Sequence, residues 1–275
     1  MIAVDKRGRL GNQMFQYAFA VAVAQQLGTF QIYDTSELEP YFALLEPSLL
    51  KGARRRMARA YDRLFGFERR EVDADDREDP DEVLANAANY TVYGGHFYSG
   101  HFFRPAAPSV RRAFTVHEVH IERFREKYAS LLDSGYVGAH VRLTDFFTYR
   151  DDVTLPPGYY RRALRALDTD LPVVIVSDEP DRVRAAFDRD PRIRVEANDE
   201  LTDFLLLRHA AQLVSSNSSF SWWAAWLNDR TDLRVIAPRW WLGLHERCEL
   251  PVKVIPEEWE QIEPRCPEDG EWPLP

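Results

Sequence analysis

The sequence predicts an α/β fold built on a parallel sheet, and three observations predict it. From about residue 120, short apolar runs of strand length alternate with segments of helical spacing, the signature of strands joined by crossover helices. The apolar runs end in polar loops carrying His, Arg, Asp and Ser, which is where parallel sheets hold their ligands. The chain has 275 residues, 45% of them hydrophobic and 29% charged, an ordinary globular composition with room for one large domain or two small ones.

The elements follow in order. The chain opens on a short strand, a turn with Gly8 and Gly11, and a helix from Gln13 to Leu27. Met14, Tyr17, Ala18, Val21 and Ala24 share one face of that helix, and Gly28 is placed to end it. Residues 51–70 are strongly basic, with Lys51, Arg54, Arg55, Arg56, Arg59, Arg63, Arg69 and Arg70. Leu50, Ala53, Met57, Ala60, Tyr61 and Leu64 give the same stretch an apolar face. It reads as a solvated surface helix before a mobile acidic loop over 71–82, or as a face drawn to an anionic membrane surface.

Beyond residue 120 helices are expected over Ile121–Leu132, Tyr159–Leu167, Arg182–Phe187, Asp203–Ala211 and Phe220–Leu227. Strands are expected over Tyr136–Val141, Val173–Val176, Ile193–Val195, Leu213–Ser215 and Val235–Ala237, the last closing the series. The halves divide as 1–118 and 119–256, with a tail over 257–275 that wraps the surface.

The formal net charge of −9 argues against a nucleic-acid partner, whose phosphates need cationic neutralisation. Cys248 and Cys266 form no CxxC pair, so a reducing cytoplasm is the default. The first seven residues lack the apolar stretch of a signal peptide, and no run is long enough to span a bilayer. The expected location is the cytoplasm, at most peripheral to the inner face of the membrane.

Three strand ends carry chemistry. The first leads into His140, Arg142 and Asp145. A guanidinium there offers a planar fork that matches diphosphate oxygens and stabilises the charge of a leaving diphosphate. Asp145 either orients Arg142, takes a proton from an acceptor hydroxyl, or caps the loop. The second strand ends in Asp178, a carboxylate that accepts hydrogen bonds from a base or a ribose, or caps the helix opening at Pro180. The third ends in Ser215-Ser216-Asn217-Ser218-Ser219-Phe220-Ser221 ahead of an apolar helix. A helix start with added hydroxyls is an anion site. Trp222 and Trp223 are adjacent, so one of them is expected to line the ligand cleft.

Metal chemistry has little support. The DxD pairs Asp73/Asp75, Asp79/Asp81, Asp168/Asp170 and Asp188/Asp190 do not follow apolar strands, and His96, His101, His117 and His120 lack zinc-ligand spacing. No metal or other cofactor is expected.

Taken together, these residues carry a resemblance. Gly8-Arg9-Leu10-Gly11-Asn12-Gln13-Met14-Phe15-Gln16-Tyr17-Ala18 resembles the opening motif of the glycosyltransferase family 11 α-1,2-fucosyltransferases. His140-Val141-Arg142 through Asp145 resembles their HxRRxD motif, and Asn217 through Leu227 their third signature, with Val235-Ile236-Ala237-Pro238 just beyond. Gly95 to Phe103 and Tyr159-Tyr160 are weaker echoes. The resemblance implies a GT-B-like fold of two Rossmann-like halves, acceptor-side first and nucleotide-sugar-binding second, with the donor site in the C-terminal half. It implies a GDP-fucose donor, inversion at the anomeric carbon and no metal. By the same route Arg142 binds the donor diphosphate, with His140 and Asp178 near the guanosine. Ser218, Ser219 and Phe220 hold the phosphates, with Asn217 and Ser221 of the same motif and Gly11 among the donor-binding residues. Asn12 lies across the cleft near the reacting centre and, with Asp145, orients or deprotonates the acceptor hydroxyl. Three positions depart from the family pattern: Leu143 stands where the second Arg is usual, Thr144 where many members have Gly, and Tyr98 where many members have Gln.

The expected activity is therefore transfer of L-fucose from GDP-fucose to a glycan hydroxyl, α-1,2 to a galactoside. A lipid-linked acceptor is suggested by the basic face at 51–70. Two alternatives stay open: another GDP-deoxyhexose donor, and a sugar-nucleotide-binding protein with little catalysis.

Overall fold

A computed structural model describes residues 1–45, 48–72 and 77–273, less the side chains of residues 48–51 and 55. Leu50, Lys51 and Arg55 of the basic stretch, and Asp73, Asp75 and Asp76 of the acidic one, thus lie outside the described side chains. The chain forms two compact units, Met1–His120 with Leu250–Val254, and Ile121–Glu249 with Ile255–Pro275.

The first unit is a four-stranded parallel sheet, ordered β2-β1-β4-β3. Its strands are β1 (Ile2–Val4), β2 (Gln31–Ile32), β3 (Glu68–Glu71) and β4 (Thr91–Gly94). Its helices are α1 (Leu10–Gln26), α2 (Ser48–Phe65), α3 (Pro80–Ala85) and α4 (Ala107–Ala113). The helix α1 starts three residues earlier than its apolar pattern does, so Gly11 lies in its first turn and only Gly8, at φ 72°, makes the turn. Leu10 to Ala24 are buried save Asn12, because α1 is apolar on nearly every side and forms the core of its unit. Phe19 stacks on Phe97 with ring centroids 4.0 Å apart. Gly28, at φ 58°, follows the helix as expected. In the segment expected to be a mobile loop, β3 ends at Glu71 and Asp79 caps α3 by accepting from the Asp81 amide at 2.9 Å.

The second unit carries a six-stranded parallel sheet, ordered β10-β9-β8-β5-β6-β7. Its strands are β5 (Val137–Val141), β6 (Val173–Ser177), β7 (Ile193–Glu196), β8 (Gln212–Val214), β9 (Arg234–Pro238) and β10 (Glu260–Ile262). Its helices are α5 (Glu118–Ser134), α6 (Pro157–Ala166), α7 (Pro180–Phe187), α8 (Glu200–Arg208) and α9 (Ser219–Trp226). The expected strands and helices of this unit all appear, shifted at their ends by a few residues. The series does not close at Ala237: β10 from the tail adds an edge strand, pairing Glu260 with Ile236. Trp259 and Trp272 are buried, and Trp272 Nε1 donates to the Leu155 carbonyl at 2.9 Å.

The strand order positions the ligand edge. From β5 the chain runs outward through β6 and β7, then returns to β8 on the opposite side of β5. The carboxyl ends of β5 and β8 are therefore a topological switch point, where loops diverge and leave room for a ligand.

Candidate active site at the switch point

The loops after β5, β6 and β8 meet at that edge. Arg142 leaves β5 with its side chain only 14% exposed. One guanidinium nitrogen lies 3.0 Å from Asp178 Oδ2, and another donates to Asp145 Oδ1. Asp178 Oδ1 accepts from the Leu143 amide at 2.9 Å, and its Oδ2 accepts from the Thr144 hydroxyl. Thr144 Oγ also reaches Asp145 Oδ1 at 3.1 Å. Asp178 thus ties the end of β6 to the loop after β5 and does not cap α7, whose N-cap is Glu179. Asp145 is partly buried, which pushes its carboxyl up, but the Arg142 charge and hydrogen bonds outweigh this and hold it below the ordinary carboxylate range. A carboxylate so held is a weak base, and this favours the orienting role over proton abstraction.

Leu143 is fully buried. The side chain at this position fills the core, so the edge presents one guanidinium fork from this motif. Thr144, noted only as a departure from the family pattern, was given no role by the sequence reading.

His140 sits one turn of the pleat earlier, 6% exposed, with Nδ1 2.9 Å from Ser216 Oγ. That bond joins the ends of β5 and β8. The His140 ring lies against Phe220 at 5.3 Å, and Phe220 against Phe204 at 5.5 Å. Burial pushes the imidazole down to about 4, with Asp178 opposing and Arg142 adding to the fall. His209 is likewise lowered to about 4, chiefly by burial. Both rings are neutral in the fold at pH 7.

The linkage has a definite sign. The unfolded chain protonates these rings near their ordinary value of about 6.5, so between there and about 4 it binds more protons than the folded chain. Stability is complete above about pH 6.5 and falls as the pH drops toward 4. The expected contribution of His140 is on the order of 2–3 kcal/mol. Urea midpoints measured from pH 7 to 4.5 should fall less steeply in His140→Gln than in the parent. Parallel slopes would refute the assignment.

The serine-rich loop divides by burial. Ser218 caps α9, its Oγ accepting from the Phe220 amide at 3.3 Å. Ser219 and Phe220 are half-buried at the helix start. Ser221 is fully buried, with Oγ 2.9 Å from Ser215 Oγ, and Asn217 Nδ2 donates to the Val153 carbonyl at 2.8 Å. These two side chains and the buried Ser218 shape the loop from within, leaving Ser219 and Phe220 partly exposed at the helix start. Tyr159, fully buried, donates its hydroxyl to the Ser215 carbonyl at 2.8 Å. Trp222 and Trp223 are both fully buried, so neither lines the edge. A helix apolar on all sides is surrounded by core, and adjacent positions can then both point inward.

In the first unit the loop after β1 is held by Gln16, fully buried, which accepts from the Arg7 amide at 3.0 Å and donates to the carbonyls of Arg7 and Gly95. Asn12 and Gly11 lie in the first turn of α1. A Cβ at Gly8 would sit 2.1 Å from Asn12 Nδ2, so the glycine lets the loop close over that amide.

The sequence model of glycosyl transferase family 11 matches residues 1–247, which spans the motifs at both sheets. The chain belongs to glycosyl transferase family 11. Among its relatives is an Escherichia coli α-1,2-colitosyltransferase, 24% identical over 93% of this chain and 97% of that protein. An Escherichia coli O-antigen biosynthesis glycosyltransferase, WbnK, is 28% identical over 40% of each chain. Among solved structures, the fucosyltransferase NodZ from Bradyrhizobium superposes with a TM-score of 0.54 at 14% identity, covering 81% of this chain and 90% of that one. Arabidopsis thaliana FUT1, a mutant solved with GDP, gives 0.51 at 11% identity, covering 86% and 70%. At such identities the likeness is one of fold, and that fold is the GT-B fold of parallel α/β units.

Among the described residues of this family 11 chain, no group of three or more His, Cys, Asp or Glu is arranged to hold a metal. Two of the DxD pairs have other partners. Lys253 Nζ lies 2.8 Å from Asp79 Oδ2 and 2.7 Å from Asp81 Oδ2, while Asp190 pairs with Arg192 at 3.1 Å. The pair Asp73/Asp75 lies outside the described residues. No described helix is long and apolar enough to cross a membrane.

Proposed function

We propose that the chain transfers L-fucose from GDP-fucose to a hydroxyl of a glycan acceptor, forming an α-1,2 linkage to a galactoside with inversion. One observation carries this reading: the Arg142 fork leaves β5 at the switch point, two residues after His140, whose ring meets Ser216 and Phe220 at the start of α9. Arg142 takes the donor diphosphate, spreading the charge that builds as the bond from the anomeric carbon to the diphosphate breaks. Asp145 and Asp178 hold the guanidinium plane ready for it. The hydroxyls of Ser218 and Ser219, with Phe220 beside them, hold the phosphates at the positive end of the helix. Neutral His140 and Asp178 lie toward the guanosine. The acceptor oxygen bonds to the anomeric carbon as the bond to the diphosphate breaks, GDP leaves, and the hydroxyl proton passes to solvent or to the released diphosphate. Asn12 keeps the role that the resemblance implies for it. The reaction is proposed to need no metal.

A second donor has its own support. The relative that aligns over nearly the whole chain is named for colitose transfer, and Leu143 departs from the fucosyltransferase motif. GDP-colitose is therefore the alternative donor.

Purified protein is incubated with GDP-fucose, GDP-colitose, GDP-mannose and UDP-galactose over a panel of galactosides, with nucleotide release and product mass as readouts. One GDP-deoxyhexose is expected to release nucleotide well above the others and to add its mass to the acceptor. Equal release from UDP-galactose would overturn the reading, and GDP binding without transfer to any acceptor would replace it with a binding protein.

A further inference from the structure

The helix α2 takes no part in sugar transfer as proposed above, yet it is built unlike an ordinary surface helix. Ala53, Met57, Ala60 and Leu64 recur at helical spacing and form one apolar stripe. In a globular protein that stripe faces the core. Here it faces outward: Met57 is 58% exposed and Leu64 72%, and Phe65 beside it at the end of the helix is 75% exposed. Arg56, Arg59 and Arg63 are also exposed, on the flank of the stripe. Contact with the unit comes from another side. Arg54 lies 5.0 Å over the Phe30 ring, Ala58 is buried, and Tyr61 stacks on Tyr90 at 4.4 Å. Phe65 and Phe67 lie 5.1 and 5.4 Å from Tyr61, and Tyr90 is itself 45% exposed. The stripe therefore runs into an aromatic end that is apolar in its rings and polar at its hydroxyls, the kind that favours a membrane interface.

Charge decides what covers this face. Over Ser48–Phe65 there are six basic residues and one acidic residue, Asp62, in a chain of net charge −9. An anionic surface repels the chain as a whole and attracts it here. A second copy seated on the same face by two-fold symmetry would bring the arginines of both helices together, which like-charge repulsion disfavours.

We propose that α2 docks this protein onto an anionic lipid bilayer, with Met57, Leu64 and Phe65 in the acyl boundary and Arg56, Arg59 and Arg63 on lipid phosphates. An amphipathic helix with arginines beside its apolar face lies in the plane of the interface in this way. Docking leaves the carboxyl edge of the first unit's own sheet free. Phe30, Phe67 and Tyr90 precede β2, β3 and β4, so α2 sits at the amino edge of its sheet. The loops of Arg7 and His96 are at the carboxyl edge. The arrangement keeps the protein at the membrane surface, and it does not depend on which sugar is transferred.

Flotation of the full chain with vesicles tests it. The parent is expected to float with vesicles of phosphatidylcholine containing about one third phosphatidylglycerol, and roughly tenfold less with phosphatidylcholine alone. Met57→Glu with Leu64→Glu should abolish flotation. Arg56→Glu with Arg63→Glu should remove the preference for the anionic lipid. All these side chains are exposed, so far-UV circular dichroism and GDP release with a soluble acceptor should be unchanged. Failure of the parent to float, or equal flotation of parent and variants, overturns the proposal. So does a dimer in sedimentation equilibrium that Leu64→Glu disperses, since the stripe would then belong to a second copy.

Discussion

Arg142→Ala is expected to lower kcat for sugar transfer by about a hundred- to a thousand-fold, the usual effect of deleting one donor aimed at developing charge. The reason is geometric. The guanidinium is 14% exposed and its plane is set by Asp178 on one side and Asp145 on the other. A fork held in this way loses little entropy when it meets a diphosphate. The chain should stay folded, because Asp178 keeps the Leu143 amide at 2.9 Å and the Thr144 hydroxyl after the guanidinium is gone. Arg142→Lys should recover only part of the rate, since an ammonium cannot span two carboxylates and a diphosphate at once. The checks are kcat and KM with the donor identified by the panel, together with the melting temperature. Turnover by Arg142→Ala within a few-fold of the parent would sink the mechanism.

Trp222→Ala should cost the second unit about 3–5 kcal/mol, the range for emptying a large aromatic site in a core. Trp222 is fully buried, and its ring lies 5.2 Å from Trp223, 6.2 Å from Trp226 and 5.9 Å from Trp259. The last contact reaches the segment leading into β10, so the cavity loosens the edge strand as well as α9. With total stabilities of about 5–15 kcal/mol, this is a large fraction of what holds such a unit together. The variant is expected to melt about 10 °C lower by circular dichroism. Activity should fall too, because α9 carries Ser218 and Phe220 at its start. A variant that melts within a degree or two of the parent would show that the cluster closes over the gap at little cost.

The elements of the second unit were legible because each rests on a local pattern. Val173–Val176 is an unbroken apolar run, as a strand covered on both faces must be, and Ile121–Leu132 repeats at helical spacing. The strands of the first unit were harder. Its β2 is two residues long and its β3 reads Glu-Arg-Arg-Glu, an edge strand facing water, so neither shows the apolar alternation that marks a strand. The same holds for β10, Glu-Gln-Ile, found in a tail expected only to wrap the surface.

For the site, the residue types and their loops were readable in one dimension, and the partners were not. An Arg after one strand, an Asp after another and a hydroxyl-rich helix start each announced chemistry by type and position. That Arg142 meets Asp178, and His140 meets Ser216, follows from β5 lying between β6 and β8. Strand order is set by how crossovers pack and not by any local signal. Burial of Leu143, Ser221 and both Trp222 and Trp223 depends on what surrounds a helix or loop, which no single segment encodes. The basic, apolar segment at 51–70 was visible from the first, but only the tertiary structure could decide that the fold leaves its stripe uncovered. The sequence by itself thus determined the α/β character, the family and the polar residue types that end each strand. The tertiary structure decided which of them pair and which are buried, because pairing and burial are properties of packing between segments distant in the chain.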